Sequence, residues 1–267
     1  MQFDPIYNPY SLVGKTILIT GASSGIGRAT AIECSKLGAT CVITGRNEER
    51  LNDTLSLMVG DGHQMVVADI SQREGINALV EQTPALDGLV NNAGISSTKL
   101  INFLKEEDIE QVFKINTFTP ILLTKSLLKK KLNAKASIVF VSSAASINPD
   151  IANSVYSATK AALASFSRSC AKELSTRLIR SNSVHPGMVE TELVQNLVFS
   201  TEELEKDKER YLLRRYGKPE EVAWSIIYLL SDASVWVTGV QLVIDGGVLL
   251  KCKHILKQYR TINQFKY

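Results

Sequence analysis

The stretch from Gly14 to Gly38 constrains the fold most tightly. Lys15-Thr16-Ile17-Leu18-Ile19-Thr20 is a short apolar run with β-branched residues, which reads as a buried parallel strand. Gly21-Ala22-Ser23-Ser24-Gly25-Ile26-Gly27 follows at once, and Arg28 to Leu37 then reads as a helix stopped by Gly38. Glycines here let the backbone approach a pyrophosphate, while the helix N-terminus offers free N–H groups and the positive end of its dipole. The spacing is G-x-x-x-G-x-G, not the commoner G-x-G-x-x-G.

The same alternation runs through the rest of the chain. Strands are expected at Thr40–Thr44, Gln64–Ala68, Leu86–Val90, Ser137–Val141, Arg180–Val184 and Val240–Ile244. Helices are expected at Asn47–Met58 with Asn47 as cap, from Ser71 as cap to Gln82, at Glu106–Lys131, Ser154–Ala171, Thr201–Arg210 and Pro219–Leu230. Asn116 and Pro120 fall inside the long helix, where the proline invites a kink. Met188–Phe199 reads as a mobile lid. Continuous βα alternation without a linker predicts an α/β fold: one doubly wound sheet with helices on both faces. Residues 1–250 form a single domain, and 251–267 are a basic C-terminal extension carrying Lys251, Lys253, Lys257, Arg260 and Lys266 and no acid. In such a sheet ligands sit at the carboxyl ends of the strands, where Gly21, Asn92, Ser143 and Pro186 all fall.

Tyr156-Ser157-Ala158-Thr159-Lys160 places a phenol and an ammonium one turn apart on a helix face. A phenol has an unperturbed pKa of about 10, and a nearby cation lowers it. A tyrosine tuned in this way can exchange a proton with an oxygen during redox chemistry. At the end of the second strand a NAD-binding unit would carry an acid for the ribose 2′-hydroxyl. Here Gly45-Arg46-Asn47 stands in its place, and an arginine suits the 2′-phosphate of NADP.

Composition narrows the function classes. A net charge of +3 does not suggest nucleic acid, and 45% hydrophobic residues supply a core. Cys34, Cys41, Cys170 and Cys252 are scattered, with no Cys-x-x-Cys and no histidine at ligand spacing, so neither a metal site nor a disulfide framework is expected. Reduced thiols, no signal peptide and no run long enough to span a bilayer fit a cytoplasmic protein without a membrane role.

Taken in order, Thr20-Gly21-Ala22-Ser23-Ser24-Gly25-Ile26-Gly27, Asn91-Asn92-Ala93-Gly94, Ser143, Tyr156-x-x-x-Lys160, Pro186-Gly187 and Ile244-Asp245-Gly246-Gly247 resemble the short-chain dehydrogenase/reductase family, over roughly Leu12 to Val248. The resemblance implies a seven-stranded parallel Rossmann sheet and hydride transfer between NAD(P) and an alcohol or carbonyl. It implies a catalytic set of Asn116, Ser143, Tyr156 and Lys160. Tyr156 would be the acid in reduction, Lys160 would tune it and hold the nicotinamide ribose, and Asn116 would hold a water on the proton path. Ser142 and Ser143 are alternatives by chemistry alone; the family's spacing of thirteen residues before the tyrosine selects Ser143.

The implied cofactor residues are Gly21, Ser23, Ser24, Gly25, Ile26, Gly27, Arg46, Asp69, Ile70, Asn92, Ala93, Gly94, Tyr156, Lys160, Pro186, Gly187, Val189 and Thr191. NADP is preferred on Arg46, and NAD stays open because the basic residue that NADP users of the family carry before the second glycine is Ser24 here. A homotetramer or homodimer acting on a small carbonyl or alcohol is implied. The alternative is a non-catalytic dinucleotide-sensing or scaffold protein of the same fold. An RNA-binding role through the basic extension predicts salt-sensitive binding.

Overall fold

The computed structural model describes residues 7–191 and 201–250. The basic extension, Cys252 and residues 192–199 of the expected lid lie outside them. Seven strands form one parallel sheet: β1 (Thr16–Thr20), β2 (Thr40–Gly45), β3 (Gln64–Val67), β4 (Leu86–Asn91), β5 (Leu132–Val141), β6 (Arg180–Pro186) and β7 (Gln241–Ile244), in the spatial order β3-β2-β1-β4-β5-β6-β7. The helices are α1 (Gly25–Lys36), α2 (Glu48–Ser56), α3 (Arg73–Gln82), α4 (Glu106–Phe113), α5 (Thr119–Lys130), α6 (Ser154–Glu173), α7 (Thr201–Lys208) and α8 (Pro219–Leu230).

Strand alternation divides the core in two. Ile17, Ile19, Ile43, Val90 and Val139 pack with Ala31 and Cys34 of α1 and Val222 and Ile226 of α8. Leu18, Val42, Leu89, Ile138 and Phe140 point the other way, onto Leu79 of α3, Leu123 and Leu127 of α5 and Leu163 of α6. Successive side chains of a strand face opposite sides, so each strand serves both layers. The strand order reverses between β1 and β4, and a crevice opens there at the strands' carboxyl ends.

Several boundaries differ from expectation. The single helix expected over 106–131 is broken: a π-turn, Lys114–Phe118, separates α4 from α5, and Asn116 sits in it. Pro120 has no N–H for the carbonyl four residues back, so the ladder re-registers there instead of kinking around an intact helix. Ser71 does not cap α3. Its N–H is taken by the Asp69 side chain at 3.0 Å, in a turn that delays the helix to Arg73. β5 begins at Leu132 rather than Ser137, because the Leu86 N–H reaches the Lys131 carbonyl at 2.8 Å and starts the pairing early. β6 runs on through Pro186, which pairs with Ile244. The first part of the expected lid is tethered, since the Met188 and Glu190 backbones exchange hydrogen bonds with Gly217.

β6 is buried from Ser181 to Pro186 although it reads Ser181-Asn182-Ser183 near its centre. Its polar groups are satisfied sideways. The Ser181 hydroxyl donates to the Ser167 carbonyl at 2.9 Å, and the Asn182 amide bonds Val237 and Val240 at 3.1 and 3.0 Å.

Candidate active site

A cavity of about 480 Å³ opens over the carboxyl ends of β1, β4, β5 and β6. Its floor is the glycine turn after β1. Gly21 and Gly25 have φ of +66° and +52°, a region costly for any residue with a Cβ. Ser24 occupies the cap position of α1 without bonding the helix, and no acid stands in the first turn, so no side chain of the helix start competes for its N–H groups.

Gly27 does not border the cavity. A Cβ there would lie 2.2 Å from the Gly21 carbonyl oxygen and 2.5 Å from Asn92 Nδ2, so it is the packing contact that brings the helix under the turn. Asn92 Nδ2 donates to the Thr20 and Gly21 carbonyls at 3.0 and 3.2 Å, and Thr20 Oγ1 accepts from the Asn92 and Ala93 N–H groups at 2.9 and 3.0 Å. Gly27→Ala is therefore expected to cost roughly 1–3 kcal/mol of stability by overpacking and to weaken dinucleotide binding, both read by thermal melting with and without NADPH. An unchanged melt and unchanged ligand shift would refute it.

Two supports of this turn were not foreseen. Arg28 Nη2 donates to the Ser23 carbonyl at 2.7 Å, and Thr54 Oγ1 donates to the Ala22 carbonyl at 2.9 Å. The sequence signal was a cation directly after the last glycine, with no acid near it in the chain.

The far end of the cavity is walled by Gly45, Arg46, Asp69 and Ile70. Hydrogen bonds from Ser71 hold the Asp69 carboxyl below its ordinary range, helped by the fields of Arg46 and Lys114. Arg46 is exposed and makes no hydrogen bond or ion pair among the described residues.

The reacting end is built by β5 and α6. The Ser142 hydroxyl is buried and donates to the Lys160 carbonyl at 2.9 Å, which commits it to holding the helix. Ser143 borders the cavity, heads a short 3₁₀ turn (Ala144–Ser146), accepts from the Ala145 N–H at 3.1 Å, and stands on the side of the Tyr156 phenol, whose charged form it favours. The tertiary structure thus separates the two serines independently of spacing. Lys160 Nζ lies 5.8 Å from the Tyr156 ring centroid and donates to the Val141 carbonyl at 2.8 Å.

The electrostatics correct one expectation. The phenol is pushed up from its ordinary value, because burial outweighs the lowering by Ser143. Burial also brings the Lys160 ammonium down to about 8. Burial makes both groups resist charge, so at neutral pH the tyrosine keeps its proton. It stands as an acid ready to give one.

Asn116 is fully buried and lies behind the cavity wall. Its Oδ1 accepts from the Ile95 N–H at 2.8 Å, and its Nδ2 donates to the Ile95 carbonyl at 2.9 Å and to Thr159 Oγ1 at 3.2 Å. It clamps the segment after β4 to α6. A Cβ on Gly94 would lie 3.1 Å from Asn116 Oδ1 and 3.3 Å from Lys160 Nζ, so the missing side chain leaves their place free.

Pro186, Gly187, Val189 and Thr191 form the opposite wall with Ala93 and Ile26, and Thr191 Cγ2 comes within 3.1 Å of an ideal Cβ on Gly25. The loop before α6 adds Asn148 and Asp150 to the lining, and walls not foreseen include Arg210 and Tyr211. Arg210 bridges Asp150 at 2.7 Å and Asp207 at 2.8 Å. These come from loops, where local patterning carries little signal.

Uncapped helix N–H groups behind glycines at positive φ, a long cavity, and an acid–base pair at its other end fit a dinucleotide cofactor. Among the described residues no cluster suits a metal ion, and no helix is long and apolar enough to cross a membrane. Fold and cavity together define a Rossmann-type oxidoreductase.

The family model described as enoyl-(acyl carrier protein) reductase matches residues 21–249. The chain is 35% identical over 240 residues to the 3-oxoacyl-[acyl-carrier-protein] reductase of Rickettsia felis, covering 90% of this chain and 98% of that one. It is 34% identical over 244 residues to the L-xylulose reductase of Caenorhabditis elegans, covering 89% and 97%. A crystal structure of a dehydrogenase/reductase from Sinorhizobium meliloti superposes with a TM-score of 0.83 at 33% identity, covering 90% of this chain and 97% of that one. The chain belongs to the short-chain dehydrogenase/reductase family, nicotinamide-dependent oxidoreductases acting between CH–OH and carbonyl groups.

Proposed function

We propose that this protein reduces a ketone with NADPH, using Tyr156 as acid, Ser143 as the donor that holds the carbonyl oxygen, and Lys160 as the cation on the nicotinamide ribose. One observation carries the reading: Ser143, Tyr156 and Lys160 border one end of a cavity that ends at an uncapped glycine turn, and burial keeps the Tyr156 phenol protonated there. The cofactor supplies the hydride to the carbonyl carbon. Ser143 polarises the carbonyl by donating a hydrogen bond to its oxygen. Tyr156 transfers its phenolic proton to that oxygen, so the product is the alcohol. Lys160, whose ammonium lies 5.8 Å from the Tyr156 ring centroid, is the group that would return a proton to the phenol. The remaining cofactor contacts are those of Gly21, Ser23, Ser24, Gly25, Ile26, Asn92, Ala93, Gly94 and Thr191 along the cavity.

The substrate is a 3-oxoacyl thioester or a ketose, since the relatives named for these compounds both act on a ketone. Support for NADPH comes from Arg46, an exposed guanidinium at the adenosine end with no hydrogen bond or ion pair among the described residues. Exposed Ile101, Phe103, Phe118 and Leu122 around α4 and α5 support a homotetramer or homodimer, and the buried thiols Cys34, Cys41 and Cys170 fit the cytoplasm.

The test is to mix the full chain with NADPH or NADH and a panel of acetoacetyl thioester, ketoses and simple ketones, following loss of the reduced-nicotinamide absorbance. No turnover with any carbonyl refutes the reading. Arg46→Ala is expected to weaken NADPH binding by about 10- to 100-fold, the loss of one charge-assisted hydrogen bond of about 1.5–3 kcal/mol. NADH binding should be unchanged, and equal losses for both would overturn the NADP assignment.

A further inference from the structure

His185, which the proposed chemistry does not use, is fully buried at the end of β6. Its Nδ1 lies 3.2 Å from the Ser143 carbonyl oxygen and 2.9 Å from Ser146 Oγ, and its Nε2 lies 2.9 Å from Ser183 Oγ. The tautomer follows from these partners. A carbonyl oxygen only accepts, so a bond from Nδ1 to Ser143 places the proton on Nδ1, and Nε2 then accepts from the Ser183 hydroxyl, whose other acceptor, the Val240 carbonyl, is more distant at 3.5 Å. The Ser146 hydroxyl in turn donates to the Ser143 carbonyl at 2.6 Å, which leaves its oxygen open to the imidazole N–H. Burial, with the fields of Lys160 and Arg168, keeps the ring neutral against the pull of the Ser143 carbonyl.

The ring thus joins two rigid parts. On one side, His185 is in register with Val243 of β7, and Ser183 with Gln241. On the other is the turn from Ser143 to Ser146, whose first residue presents its hydroxyl to Tyr156. Ser143 lies two residues past the end of β5, so its hydroxyl position depends on how this turn is held.

We propose that His185 is a positioning residue: its Nδ1–H, anchored in the sheet through Ser183, locks the Ser143–Ser146 turn so that the Ser143 hydroxyl meets both the Tyr156 phenol and a substrate oxygen. This rests on the catalytic reading of Ser143 given above. It also accounts for the last polar side chain of β6, which has no role in joining β6 to the segment before β7.

The test uses side chains that restore one nitrogen at a time. His185→Asn places an amide N–H where Nδ1 stood, His185→Gln places one nearer Nε2, and His185→Phe keeps the ring without either. His185→Phe and His185→Gln are expected to lower kcat by roughly 10- to 100-fold, the scale of displacing a reacting group by about 1 Å. NADPH Kd should not move, and His185→Asn should recover most of the rate. In a Ser143→Ala background the same changes should cost nothing further, because the group they position is gone. Equal losses in both backgrounds, or recovery by Gln rather than Asn, would overturn the proposal. If Ser143→Ala itself leaves kcat unchanged, the catalytic reading has failed instead. A crystal structure of the His185→Phe holoenzyme gives a readout that needs no substrate: Ser143 Oγ displaced from Tyr156 supports the proposal, and Ser143 Oγ in place refutes it.

Discussion

Tyr156→Phe is expected to lower kcat for carbonyl reduction by roughly 10²- to 10⁴-fold, the contribution of one positioned proton donor. The substitution removes only the hydroxyl, so the ring still packs at the cavity wall and dinucleotide binding should persist. Both are measured on one preparation, by initial rates and by fluorescence titration with NADPH. Full activity in the variant would remove the acid role. The pH profile of the unaltered enzyme tests the same centre. Burial raises the phenol, so its acid form persists through neutrality and above. Lys160 is the group that titrates first, near 8. kcat/KM for reduction should therefore be level below about 8 and fall as pH rises through it, because the ammonium is lost there. A profile that instead rises with pH over that range would contradict this assignment.

Ser143→Ala is expected to cost roughly 10²- to 10³-fold in kcat, the scale of removing one preorganised donor to a developing oxyanion. Ser142→Ala is the contrasting change. It deletes a buried hydrogen bond to the Lys160 carbonyl and should lower stability by about 1 kcal/mol, with far less effect on turnover. Paired rates and melting curves separate the two serines. If Ser142→Ala proves the more damaging for kcat while Ser143→Ala is silent, the placement of the substrate oxygen is wrong.

Much of the architecture was legible because the signals are local. An apolar β-branched run bounded by glycines can hardly be anything but a buried strand, and Gly38 ends α1 at φ +88° as its position suggested. Asn47 caps α2 by accepting from the Arg50 N–H at 2.9 Å, a bond within four residues. The errors came where a distant partner decides. The π-turn at Asn116 answers both to Pro120 and to Ile95 and Thr159 across the site. β5 starts early because of a bond between Leu86 and Lys131. Ser71 was drawn from the cap by the carboxylate of Asp69.

By itself, the order of residues determined the βα alternation, the glycine turn, and the phenol–ammonium spacing on α6, all consequences of backbone sterics and helical period. The tertiary structure alone decided which of two adjacent serines spends its hydroxyl on holding α6, that Gly27 and Asn116 brace the site from behind, and that His185 reaches Ser143 across the sheet. It also reversed the expected tuning of Tyr156: spacing places a cation near a phenol, but only burial, set by everything packed around both, fixes how much charge either can carry.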